Sequence, residues 1–181
     1  RACLDPWLGQ PRWKQTHAHI TFTYRFEAET VPAVPLRLKV EMYTREHFNV
    51  MGLRQVPFAV ESPWYTGTCE VPTFHTEELL GTKMRALYQR KKGRDLFDLA
   101  TTLARFPDLD RAAVLACFQR YMAHEGVAID RATYATNLAA KMDDPAFTGD
   151  LRPLLVAGHA YDAEKAHEIA VRELLALLPD G

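Results

Sequence analysis

The sequence predicts an α+β fold, with a β-rich part over residues 1–73 and an all-helical part over residues 74–181. Two observations carry this. "HITFTYRF" and "LRLKVEM" alternate apolar and polar residues, the period-two signature of half-buried strands. From Thr76 onward, apolar residues recur at helical spacing instead.

The elements follow in order. In the first strand Ile20, Phe22, Tyr24 and Phe26 share one face, with Thr21, Thr23 and Arg25 on the other. Pro32 and Pro35 close the turn before the second strand. There Leu36, Leu38, Val40 and Met42 point one way, and Arg37, Lys39 and Glu41 the other. "PFAVES" and "GTCEV" are shorter strand candidates, punctuated by Gly67 and Pro72. The first helix has Thr76 as the expected N-cap, Glu77 and Glu78 in the first turn, and Gly93 as its stop. Leu80, Met84, Leu87 and Tyr88 form its apolar stripe. A second helix starts near Asp95 and ends before Pro107. Arg111–Ala123, Arg131–Met142 (Asp130 as N-cap) and Ala163–Leu178 complete the helical part. Few strands are present for an independent sheet, so the expected sheet is partial.

Composition narrows the function. The 181 residues are 48% hydrophobic and 25% charged, enough for one sizeable core or two small ones. A net charge of -1 gives no global attraction to nucleic acid or membrane. No apolar run approaches a membrane span, so no membrane partner is expected. Cys3, Cys69 and Cys117 are scattered, which fits a reducing, cytoplasmic setting. The chain begins with Arg1, and the expectation is a piece of a longer protein. No Walker loop, Rossmann fingerprint or Gly-x-Ser-x-Gly motif is present.

The densest chemistry lies in "GTKMRALYQRKKGRDLFDLATTL", where Lys83, Arg85, Arg90, Lys91, Lys92 and Arg94 run into Asp95 and Asp98. Lys83 and Arg90 are seven residues apart, so a helix returns them to one stripe within about 20°. Arg94 and Asp98 stand at i,i+4 spacing and can pair. A hairpin at Gly93 would fold the aspartates toward Lys83 and Arg90, giving cations for phosphates beside a carboxylate. A solvated charged face explains the same spacing. Glu41 is a second candidate: ordinary if its sheet face meets water, in need of a cation or metal if covered. His17 and His19 share a strand face with no third ligand in sight, and His47, His75, His124, His159 and His167 are isolated.

"LKVEMYTREHF" followed by "EELLGTKMRALYQRKKGRDLFDL" resembles the AbiEii/AbiGii-type nucleotidyltransferase toxins, bacterial members of the polymerase-β-like superfamily found in toxin–antitoxin and phage-defence pairs. The resemblance covers roughly Thr21 to Leu103, and "KMDDPAFTGDLRPLL" is similar to the family's C-terminal region. It rests on Lys-x-x-Ala-x-x-x-Arg followed by Arg-Asp-x-x-Asp-Leu. The resemblance implies a partial nucleotidyltransferase sheet with a helical bundle closing over the nucleotide. Glu41 would be the third metal-binding acid, and with Lys83 and Asp95 a catalytic residue. Lys83, Arg90, Arg94 and Asp98 would bind or organise the nucleotide. Mg2+, a nucleoside triphosphate, an RNA acceptor such as tRNA, and an antitoxin protein are the implied cofactor and partners.

The family's Gly-rich turn followed by Asp-x-Asp is absent, and "MDDP" at 142–145 has the wrong context. The expectation is therefore a truncated piece or a degenerate member, catalytically inert as it stands. Three readings stand side by side: the C-terminal portion of a nucleotidyltransferase toxin, a non-catalytic module binding an antitoxin or nucleic acid, and a structural domain with a solvated hairpin.

Overall fold

The computed structural model describes residues 1–44, 47–156, 158 and 160–181. The chain divides into two compact units, Arg1–Phe48 and Asn49–Gly181.

The first unit holds a short helix α1 (Asp5–Leu8) and an antiparallel sheet of order β1-β2-β3: Arg12–Gln15, His19–Glu27 and Pro35–Tyr43. The alternating patterns register face to face, with Ile20 opposite Met42, Phe22 opposite Val40, Tyr24 opposite Leu38 and Phe26 opposite Leu36. Tyr24 is buried, and its hydroxyl donates to Asp5 at 2.8 Å, which ties α1 to β2. Leu36, Leu38 and Met42 on β3 nevertheless stay exposed, so this apolar face is not covered within the unit. Strand β1 is an addition to the expected set. "RWKQ" is too short and too polar for its alternation to stand out.

The second unit opens with the hairpin β4 (Leu53–Glu61) and β5 (Thr66–Phe74). The helices α2 (Thr76–Gln89), α3 (Gly93–Arg105), α4 (Arg111–His124), α5 (Arg131–Met142), α6 (Pro145–Thr148) and α7 (Ala163–Glu173) follow. One-turn 3₁₀ segments cover Arg152–Leu154 and Leu175–Leu177. The core gathers Met84 and Leu87 from α2, Leu96 and Leu99 from α3, Val114 and Phe118 from α4, Tyr134 and Leu138 from α5, and Leu174. Gly81 lets α2 approach α4 closely. A Cβ there would stand 2.7 Å from the Cys117 Cβ and 2.9 Å from the Phe118 nitrogen. Asp130 caps α5, its carboxylate accepting from the Thr133 amide at 2.7 Å.

Three expectations are corrected. The N-cap of α2 is His75, extended and without a side-chain cap bond, and Thr76 is already helical. Gly93 does not stop α2, which ends at Gln89 with Arg90 as its C-cap; it opens α3. It is glycine because the chain crosses the Phe147 carbonyl there, and a Cβ would stand 2.2 Å from that oxygen. The last helix ends at Glu173, short of Leu178, and tightens into the 3₁₀ turn. Among the described residues, no helix is long and apolar enough to cross a membrane.

Candidate functional site

Helices α2 and α3 form a hairpin joined by the short turn Arg90–Lys92. The inward stripe of α2 buries Leu80, Met84 and Leu87, which leaves Lys83 and Arg90 on its flank. The first turn of α3 buries Asp95 completely, where the helix dipole favours a carboxylate. Arg90 grips it with two bonds, Nε to Oδ2 at 2.7 Å and Nη2 to Oδ1 at 2.6 Å. The planar guanidinium fork matches a carboxylate, so this pair fixes orientation as well as distance. Lys83 Nζ lies 3.5 Å from Asp95 Oδ1 and 2.6 Å from Asp98 Oδ2. Both cations keep a solvent-facing side, with side chains 38% and 50% exposed. A buried anion thus mounts two cations that still reach water.

The rest of the basic run is largely neutralised. Arg85 pairs with Glu125 at 3.3 Å and lies over the Tyr121 ring, 4.9 Å from its centre. Lys91 pairs with Asp144, and Lys92 with Asp150 at 3.7 Å. The expected Arg94–Asp98 pair is not formed among the described residues. Asp98 takes Lys83 instead, while Arg94 is exposed and its backbone amide donates to Asp150 at 3.4 Å. Outside Lys83, Arg90 and Arg94, the run is therefore a set of locally balanced pairs.

Residues that no spacing rule connects to this hairpin hold it. Lys141 on α5 is buried and donates to the carbonyls of Leu87 and of Tyr88, the latter at 2.7 Å. These are orphan acceptors of the last turn of α2. Burial pulls its ammonium down to about 8, against the attraction of Asp95 and with the repulsion of Lys91. Tyr134 donates to the Met84 carbonyl at 2.9 Å, and burial, aided by Asp95, pushes its hydroxyl well above the ordinary tyrosine range. At the other end of α2, buried Glu78 accepts from the Val50 amide at 2.8 Å, the Met51 amide at 2.9 Å and the Tyr121 hydroxyl at 2.8 Å. All these partners lie far off in sequence, beyond the reach of any spacing rule. The one available signal was a lysine or glutamate inside an otherwise apolar helical stripe.

Glu41 belongs to the first unit, whereas Lys83, Arg90, Arg94, Asp95 and Asp98 belong to the second. On the polar face of β3, Glu41 pairs with Lys39 at 2.8 Å, and Thr21 opposite donates to it at 3.5 Å. The Lys39 bond holds its carboxyl below the usual glutamate range, against a smaller desolvation effect. His19 on the same strand as Thr21 bonds through Nδ1 to the Thr16 hydroxyl at 3.1 Å. His159, and Arg45 and Glu46 of "YTREHF", lie outside the described residues. No cluster of three His, Cys, Asp or Glu suited to a metal occurs among the described residues. One lysine-paired glutamate does not make a Mg2+ site by itself, since such sites need several oxygen donors at close range.

These features define an α+β protein whose helical hairpin presents cations locked onto a buried aspartate. A family model described as Nucleotidyl transferase AbiEii toxin, Type IV TA system, matches residues 1–173. The chain belongs to that family of nucleotidyltransferase toxins from type IV toxin–antitoxin systems, and membership implies use of a nucleoside triphosphate and an antitoxin partner. No curated protein and no solved structure matches the chain.

Proposed function

We propose that this chain supplies the phosphate-holding part of a nucleotidyl transfer from a nucleoside triphosphate to an acceptor hydroxyl, with tRNA or another RNA as acceptor. The chain alone does not complete the reaction. The observation that carries this reading is the Lys83–Arg90–Asp95–Asp98 network. The leaving pyrophosphate accumulates negative charge and is stabilised by cations already in place. Asp95 preorganises both cations, so little side-chain freedom is left to lose on binding. Asp98 is half-exposed, so Lys83 exchanges it for a phosphate oxygen while Asp95 keeps its orientation. Arg94, exposed at the start of α3, meets the more distant phosphate or the acceptor backbone. Glu41 would serve as one acid of a metal-binding half. Among the described residues the donors do not compose a Mg2+ site. A triphosphate donor and an RNA acceptor place this work in the cytoplasm.

The test is titration calorimetry with each of the four nucleoside triphosphates, followed by a transfer assay with labelled triphosphate, Mg2+ and bulk tRNA. Weak binding is expected, lowered about tenfold by Lys83→Ala or Arg90→Ala, the scale of one charge-assisted contact. Transfer is expected to be absent. Undiminished binding in both variants overturns the phosphate role, and robust transfer overturns the inertness.

A second reading, a module that binds an antitoxin without chemistry, is favoured by the exposed apolar residues Leu36, Leu38 and Met42. It predicts no triphosphate affinity at all in the same titration.

A further inference from the structure

The turn that carries Arg90 is held from one distant segment, 141–150. Lys141 binds the carbonyls of Leu87 and Tyr88. Asp144 takes Lys91, and Asp150 takes Lys92 and the Arg94 amide. The Phe147 carbonyl lies where a Cβ of Gly93 would be. Asp144 and Asp150 act on exposed lysines, whose pairs are weak in water. Lys141 acts from a buried position on backbone, which does not rotate away.

We propose that Lys141 is a positioning residue for the cation pair: by fixing the last turn of α2 it sets where Arg90 leaves the helix and how its fork meets Asp95. This rests on the phosphate-holding reading above. Leu87 and Tyr88 stand immediately before the Gln89–Arg90 end of α2. Without Lys141 their carbonyls lose a buried donor, and the turn frays toward water. The guanidinium of Arg90 then loses its fixed approach to Asp95.

Lys141 also adds its own charge beside the network. The groups facing it are Asp95 from α3, Lys91 from the turn and the Tyr88 ring from α2, whose centre is 6.0 Å from Nζ. Tyr134, on α5 with Lys141, packs on Tyr88 at 5.5 Å between ring centres. When the ammonium loses its proton near pH 8, its charge-assisted bonds to the Leu87 and Tyr88 carbonyls become weaker neutral ones. The last turn of α2 is then held less firmly, and Arg90 loses part of its fixed approach to Asp95.

The experiment measures triphosphate affinity at pH 6.5–9.5 for the wild type, Lys141→Arg and Lys141→Met, together with the Arg90 Nε–H signal by NMR. The wild type is expected to lose on the order of fivefold in affinity across pH 8, the scale of a charge-assisted bond turned neutral. Lys141→Arg should keep its affinity at high pH, and Lys141→Met should be weak throughout with a shifted or broadened Arg90 signal. If Lys141→Met does not fold, Lys141→Arg decides by its flat profile. Wild-type binding that ignores pH, or a Lys141→Arg profile that falls like the wild type, overturns this inference alone. No triphosphate binding by any form overturns the phosphate-holding reading and this inference with it.

Discussion

Two carboxylates in this molecule each face a lysine, and their surroundings give them opposite roles. On β3, Glu41 lies open beside Lys39, and its pair is screened by water and salt. On the α2–α3 hairpin, Asp95 is wholly buried and gripped by Arg90, with Lys83 close by. Burial turns an ion pair into a geometric constraint, because losing Arg90 strands the Asp95 carboxylate away from water. The hairpin is thus a rigid mount, while the strand offers an adaptable group.

The largest way to break this contrast is Arg90→Ala. It leaves the buried Asp95 carboxylate without its guanidinium fork and should cost about 3–5 kcal/mol in urea unfolding, the range for removing one partner of a buried pair. Glu41→Gln should leave the midpoint unchanged. Equal losses in the two variants would sink the comparison.

Gly93→Ala comes next. The added methyl meets the Phe147 carbonyl, which is backbone and cannot step aside cheaply. A loss of about 2 kcal/mol is expected, within the range for overpacking. A neutral result would mean that the turn has room to move. Glu78→Gln should cost about 1–2 kcal/mol, since charge-assisted bonds become neutral ones. Its local readout is faster hydrogen exchange at the Val50 and Met51 amides, which lose a carboxylate acceptor. Unchanged exchange there would show that Glu78 does not hold this segment.

The same contrast explains how far the sequence could be read. Strands β2 and β3 and helix α5 were legible because their periodicity is local and their faces differ in polarity. Lys83, Arg90, Asp95 and Asp98 were legible as a group because a hairpin folds two short spacings together. Their pairing was not, since Asp98 chooses Lys83 across the hairpin over Arg94 one turn away. Gly93 was misread because a glycine between two helices looks the same whether it ends the first or opens the second. The close Phe147 carbonyl that requires it is more than fifty residues on. The roles of Lys141 and Glu78 were not legible for the same reason, as their main partners are backbone groups of distant segments.

The last expected effect is a slope rather than a single loss, and it reports on a buried charge. In the unfolded chain Lys141 titrates near the ordinary 10.5, whereas burial lowers it to about 8 in the folded protein. Between these values the unfolded state binds more protons, so stability rises with pH across about 8 to 10.5. Below that window the folded protein carries the full cost of a buried ammonium. Unfolding free energies of the wild type and Lys141→Met, compared from pH 7 to 10.5, should therefore diverge in the wild type's favour as pH rises. Subtracting the two curves cancels other groups titrating in the same range. A Lys141→Met difference that stays flat would mean that the ammonium is well solvated, and the hairpin mount would then be wetter than its burial implies.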